Sequence, residues 1–398
     1  MKDKSIVIVN PNRYIGYSYI LYAINFLKEY SLIGIWTSNN AELYSTILVD
    51  KLDRKFIAKD YEFEELILEL KKLNPKCFVV GDDTGFLLAD KLQSYFFPDR
   101  SNDQSKYEIR SNKNNYLEYL YKKNLSSTKQ QHVTKNQIPE IKTLHVMKPS
   151  TGGGNINVFF VQSKNQIEKI LNDVDEDFIL QEAVTGEEYC IEICSFNGVH
   201  KCTMASKYKG NYLVNNLNPW REENELVSQH DNNVKIIYEY VIEILNTLGI
   251  KIGLTWTQVK ISDKTPQIIE INFRSQGHGL INLIHNATGC NYVSESLKAY
   301  LTPEKFDTTK LMYTKIGNFN KISVNNKKER YLENINWQEI QEIKSVKYIH
   351  QYIKLPNFLS LTTNLKNSLG MILLENCNND KYQKDYELIT NWKLKIEK

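Results

Sequence analysis

"IIEINFRSQGHG", residues 268–279, decides how the rest of the chain is read. Its first half has the apolar alternation of a strand, so Ile269, Ile271 and Phe273 share one face and Glu270, Asn272 and Arg274 share the other. Three such polar side chains turned into a core would be costly unless paired, so the second face is assigned to chemistry. A carboxylate and an amide are hard oxygen donors, and a guanidinium is a planar fork for an anion.

Working outward, this strand follows another, "GLTWTQVKI" (253–261), and both follow "VKIIYEYVIEILNTLGI" (234–250), whose apolar residues recur at helical spacing up to Gly249. Helices are expected at "GLINLIHNATGC" (279–290) and "YVSESLKAYL" (292–301). Upstream, "DFILQEAVTGEEYCIEICSFNGVHKCTMASKYKG" (177–210) gives a strand, a crossing segment and two strands meeting at Asn197-Gly198, a type I′ turn dipeptide. Before it, "TLHVMKP" (143–149) and "INVFFVQS" (156–163) flank the Gly-rich "STGGGN" and predict a hairpin. "SNKNNYLEYLYKKN" (111–124) has a polar start and a short helix. The first 105 residues read as β-α-β repeats: strands at "SIVIV", "LIGIW", "KFIAKD" and "KCFVV", with helical "YEFEELILELKKL" between the last two. That pattern predicts an open, parallel α/β sheet, and its first turn lacks a GxGxxG fingerprint, which argues against a dinucleotide site. Past Thr302, strands are expected at "MYTKIGNF" (312–319) and "GMILLEN" (370–376) and a helix at "KDYELITNW" (384–392).

The chain has 398 residues, 41% hydrophobic and 24% charged, enough for two or three domains with their own cores. Net charge is +3 from 50 basic and 47 acidic residues, so no nucleic-acid partner is expected. The start carries no secretory signal pattern and no apolar run reaches the ~20 residues of a membrane span, so the expectation is a soluble, cytoplasmic protein with no membrane partner. Six cysteines contain no CxxC pair and are read as reduced packing residues.

In the order of these pieces the chain resembles the ATP-grasp superfamily of carboxylate-amine ligases. The resemblance implies an α/β and α+β architecture: an N-terminal parallel-sheet domain (1–105), a small ATP-grasp subdomain with the flap (106–183), and a large subdomain with a C-terminal extension (184–398). It implies ATP and Mg²⁺ between the two subdomains, and small-molecule acid and amine substrates, with self-association into a homodimer allowed. The implied ATP ligands are Lys113, Lys148, the flap glycines Gly152, Gly153 and Gly154, Gln181, the backbone of Glu182 and Val184, and Glu188. Glu270 and Asn272 correspond to the metal pair, joined by Gln258, which stands where many relatives place a second acidic ligand. Arg274 corresponds to the arginine on the transferring phosphoryl or acyl phosphate, with Gly277 beside the substrate. Taken one at a time, several of these have ordinary readings: Lys148 as a surface lysine before a hairpin tip, Lys113 as a solvated helix end, Glu187 and Glu188 as exposed hairpin charges. Within the superfamily, "GDDTGFLLADKL" and the C-terminal "LKNSLGMILLENCNNDKYQKDYELITNW" look like the L-amino-acid ligases, which implies a dipeptide product. A specialised acid or non-amino-acid amine substrate, or a nucleotide-binding relative without catalysis, are the alternatives.

Overall fold

The computed structural model describes residues 2–12, 15–38, 49–150, 156–174, 176–214, 218–277, 281–364 and 367–397, with the side chains of 211–214 and 218–220 left aside. The predicted flap, with Gly152, Gly153 and Gly154, lies outside the described residues, as does His278.

The N-terminal segment runs β1 (Lys4–Val9), α1 (Ile15–Phe26), β2 (Tyr30–Trp36), β3 (Arg54–Ile57), α2 (Phe63–Lys71), β4 (Pro75–Val80) and α3 (Phe86–Phe96). Its strands pair in parallel in the order β3-β2-β1-β4. β1 and β2 are apolar almost throughout because both faces are covered. Val7, Val9, Ile33 and Ile35 pack with α2 and α3 residues such as Leu70 and Leu92. Ile6 and Ile8 face the other way and join a core that continues into the rest of the chain through Ile191 and Tyr300. The N-terminal sheet thereby shares its core with the larger part of the molecule. A buried ion pair reinforces the seam: Arg110 donates to Asp90 at 2.6 Å and to the backbone carbonyls of Asp103 and Leu248, both at 2.9 Å.

Next come α4 (Lys113–Lys122), β5 (Gln131–Val133), β6 (His145–Pro149), β7 (Phe159–Val161), α5 (Lys164–Asp173) and β8 (Phe178–Glu182), with β5, β8, β6 and β7 forming one antiparallel sheet. The predicted hairpin is present, since β6 pairs with β7, although β7 is only three residues long. Asn112 caps α4 by accepting the Asn115 N–H at 2.9 Å, which starts the helix at Lys113.

The remaining elements are β9 (Glu187–Phe196), β10 (Val199–Val214), β11 (Asn218–Leu226), α6 (Asn232–Thr247), β12 (Ile252–Ser262), β13 (Thr265–Asn272), α7 (Ile281–Thr288), α8 (Tyr292–Leu301), β14 (Asn318–Val324), β15 (Arg330–Leu332), α9 (Gln338–Gln341), β16 (Val346–Gln351), β17 (Asn357–Leu359), β18 (Gly370–Asn376) and α10 (Asn379–Glu397). Eight strands make one sheet in the order β13-β12-β9-β10-β11-β14-β18-β16. The Asn197-Gly198 turn has φ of 48° and 78°, the two positive values a type I′ turn requires.

One expectation is corrected. The strand read at 312–319 begins only at Asn318 and continues to Val324. Residues before it cross the sheet end instead, where Tyr313 donates to the Val227 carbonyl at 2.6 Å and Lys315 to that of Leu226 at 3.0 Å. Among the described residues no helix is long and apolar enough to cross a membrane.

Candidate active site

The site forms where α4 and β6 meet the β12–β13 edge of the large sheet. The Tyr116 hydroxyl lies 3.2 Å from both the N–H and the carbonyl of Ile271, fastening α4 to β13. That contact brings Lys113, at the helix start, within 2.9 Å of Glu270 Oε2. Asn272 donates to Glu270 Oε1 at 3.1 Å, so the two side chains of the alternating face do meet. Gln258 is the cross-strand partner of Glu270, and a register shift follows it directly. Bulges of this kind re-aim side chains next to functional sites. Burial pushes the Glu270 carboxyl up, but Lys113 and then Lys148 overcome it and hold the group at about 2.

Lys148 is 6% exposed and reaches the Ile269 carbonyl at 3.1 Å. Burial, and then the charge of Lys113, bring its ammonium down to about 8. This is no solvated lysine before a turn. The period-two pattern of the sequence leaves three more cations unremarked. Lys260, two residues after Gln258, donates to the Val184 carbonyl at 2.9 Å. Arg221 on β11 pairs with Glu188 and lies over the Tyr208 ring, 4.6 Å from its centroid, with Nη2 3.5 Å from Gln258 Oε1. Lys321 on β14 is brought down to about 8 by burial, with Cys190 opposing and Arg221 adding to the shift. Lys260 is also lowered, by burial first, and Arg221 contributes there and at Lys148. Among the described residues Lys113, Lys148, Lys260 and Arg221 thus crowd about Glu188 and Glu270, with Lys321 close to Arg221. A signal for Lys260 is available in its spacing from Gln258. Arg221 and Lys321 come from strands whose neighbours are set by distant pairing, which one sequence does not reveal.

The end of β8 and the linker that follows it supply a second feature. Gln181 is 3% exposed, and among the described residues its Oε1 is a buried acceptor without a hydrogen-bond partner. An acceptor of this kind is able to take a donor from a ligand, such as the amino group of an adenine. Glu188, far from an exposed hairpin charge, is buried by its pairing with Arg221. Glu182 ends β8, with its side chain exposed. Among the described residues nothing crowds the position a Cβ would take at Gly277.

Arg274 does not lie with Glu270 and Asn272 alone. Its fork grips Asp83, with Nε to Oδ1 at 2.6 Å and Nη2 to Oδ2 at 2.5 Å. Asp83 belongs to the turn between β4 and α3, so this pair joins the N-terminal sheet to the end of β13, and the Phe86–Phe273 stack beside it has centroids 4.5 Å apart. Burial lowers the basicity of Arg274, and Asp83 outweighs that and raises it. The carboxylate now in the fork marks the shape of anion it accepts.

Two α+β sheets closing on a cation-rich cleft, with a carboxylate–amide strand along one wall, have the arrangement of an ATP-grasp fold, and residues 111–278 match the family model described as an ATP-grasp domain. Across 98% of this chain and 98% of that one, the structure is similar to an L-amino acid ligase from Bacillus licheniformis, with a TM-score of 0.74 at 15% identity. It is likewise similar to N5-carboxyaminoimidazole synthetase from Staphylococcus aureus complexed with ADP, with a TM-score of 0.66 at 12% identity over 98% and 96% of the two chains. Among curated proteins, dapdiamide A synthase of Enterobacter agglomerans is 26% identical over 268 residues, a match that spans 63% of each protein.

Proposed function

We propose that the protein is an ATP-dependent carboxylate-amine ligase, and that its substrates are L-amino acids joined into a dipeptide. The observation that carries this reading is the gathering of Lys113, Lys148, Lys260 and Arg221 about Glu188 and Glu270, close enough to shift one another's basicity. Buried like charges are costly unless a ligand neutralises them, and a nucleoside triphosphate is an anion of the right kind. In this reading the orphaned Gln181 oxygen and the linker backbone hold the adenine, Glu188 faces the ribose, and Lys113 and Lys148 hold the phosphates. The flap glycines Gly152, Gly153 and Gly154 are assigned to closing over them. Among the described residues no three His, Cys, Asp or Glu side chains converge as a metal cage. Mg²⁺ suits such a site, because it draws most of its ligands from phosphate and water and needs one or two protein oxygens, here Glu270 with Asn272 and Gln258. Bound there, it would neutralise phosphate charge.

The reaction has two steps. A carboxylate oxygen attacks the γ-phosphorus and ADP leaves, giving an acyl phosphate. The amine nitrogen then attacks the acyl carbon, phosphate leaves, and the nitrogen loses a proton. In this reading Arg274 holds the carboxylate and then the acyl phosphate, and its bidentate grip on Asp83 supports that role. No protein nucleophile is needed; alignment and exclusion of water do the catalysis. The likeness to an L-amino acid ligase and the match to dapdiamide A synthase support amino-acid substrates. A cytoplasmic location fits an ATP-consuming ligase, and we keep the division at residues 105 and 183 as the working domain scheme. The test is phosphate release from ATP and Mg²⁺ over all pairs of L-amino acids. Release that depends on a specific pair, with the dipeptide found by mass spectrometry, is the expected result; nucleotide binding without turnover across the panel would overturn the reading.

A further inference from the structure

Glu192 lies at the centre of β9, is 0% exposed, and has no part in the reaction just described. It stands in one cross-strand row with Trp256 of β12 and Asn272 of β13, so its side chain faces the same side of the sheet as the metal-type pair. Its Oε2 accepts the Gln276 N–H at 3.0 Å, and the Thr203 hydroxyl donates to Oε1 at 3.2 Å. Burial pushes its carboxyl up to about 7, against those two hydrogen bonds and the more distant charge of Arg274. A carboxylate in such a place is costly, and its contacts indicate a use.

The N–H of Gln276 and the carbonyl of Ser275 are the two ends of one peptide group. That carbonyl accepts Nη1 of Arg274 at 2.7 Å, while Nε and Nη2 of the same guanidinium hold Asp83. The peptide is therefore clamped between an acid at its N–H end and a cation at its carbonyl end. Both hydrogen bonds are charge-assisted when Glu192 is ionised, and each polarises the other through the amide. We infer that Glu192 is a positioning residue that aims the Arg274 fork through the Ser275–Gln276 peptide. The inference rests on the reading of Arg274 as the ligand of the transferring group. Rotation of this peptide would turn the Ser275 carbonyl away from Nη1 and release the fork from its plane.

The test is a mutant cycle on the full chain, read as phosphate release from ATP and Mg²⁺ with an equimolar mixture of L-amino acids. Glu192→Gln keeps the shape and loses the charge; turnover should fall about tenfold while KM for ATP stays within about twofold and the melting temperature within a few degrees. In an Arg274→Lys background, where the fork is gone, the same change should lower turnover less than about twofold. Thr203→Val withdraws the other hydrogen bond without touching the Gln276 contact and should leave turnover within about twofold of wild type. If Arg274→Lys itself turns over like wild type, the reading of Arg274 falls and takes this inference with it. If that variant is impaired but Glu192→Gln has the same effect in both backgrounds, the inference alone is overturned. It is equally overturned if Glu192→Gln leaves turnover unchanged, if its ATP affinity and melting temperature fall together, or if Thr203→Val loses about as much turnover as Glu192→Gln.

Discussion

Two sets of buried charge in the molecule are built on opposite terms. Asp90 and Arg110, at the seam with the N-terminal sheet, are one acid and one base, 1% and 0% exposed, and neighbouring protein groups fill in around them: Asn102 donates to Asp90 at 2.8 Å, and two backbone carbonyls accept from Arg110. The cleft has Lys113, Lys148, Lys260, Arg221 and Lys321 against Glu188 and Glu270, and its lysines at 148, 260 and 321 are all held below their ordinary range. In the first set one acid and the protein's own carbonyls hold one base. In the second, cations gather about the carboxylates and depress one another's basicity, and that difference tells the two regions apart more clearly than burial does.

That contrast can be broken by mutation. Asp90→Ala leaves Arg110 buried and unpaired, so it should lower stability by about 3 to 5 kcal/mol in urea unfolding. A loss under about 1 kcal/mol would mean the seam pair is as expendable as a surface bridge. Lys148→Met should act in the other direction. The Lys148 ammonium is disfavoured in the fold, and this penalty is present in full below about pH 8 and shrinks as pH rises from there toward the ordinary lysine range. At pH 7 the variant without ligand should therefore unfold no more easily than wild type, while its ATP affinity by calorimetry drops by about 1.5 to 3 kcal/mol. Lower stability together with unchanged affinity would place Lys148 with the seam rather than the cleft.

A finer probe uses protons. Phosphate beside Lys148 favours its charged form, so ATP binding at pH 8 should take up about half a proton, and at pH 6 nearly none, measured by calorimetry in buffers of different ionisation enthalpy. Equal uptake at both pH values would assign the linked group elsewhere. The smallest effect is expected at Gln258. Gln258→Glu adds a carboxylate opposite Glu270 and should lower the Mg²⁺ concentration for half-maximal phosphate release a few-fold, through ligand charge alone. A shift to higher Mg²⁺ would show that the new charge serves Arg221, 3.5 Å away, instead of the metal.

Local signals are legible in the sequence and distant ones are not. Alternation in 268–274 puts Glu270 and Asn272 together, and the side chains do touch. The parallel N-terminal sheet and the Asn197-Gly198 turn are readable because their periods and turn residues lie within a few positions of each other. Arg274 reads on the right strand, but its partner Asp83 is 191 positions away and reaches it only because the N-terminal sheet packs back on the large one. Arg221 and Lys321 escape a sequence reading for the same reason. The strand start at Asn318 is misplaced by pattern alone because the apolar Met312, Tyr313 and Ile316 read as strand residues, whereas Tyr313 is tied to the Val227 carbonyl before the strand begins. Glu192 reads as an ordinary polar interruption in "CIEIC", and nothing nearby in sequence shows that Gln276 lies above it.

The central claim is that phosphoryl passes from ATP to a carboxylate held at Arg274. With a productive substrate pair in hand, the acid can be labelled with ¹⁸O in its carboxylate and the products weighed. Transfer through an acyl phosphate predicts one carboxylate-derived ¹⁸O in each inorganic phosphate released, with ADP unlabelled. Label appearing in AMP, or phosphate released without label, would contradict it.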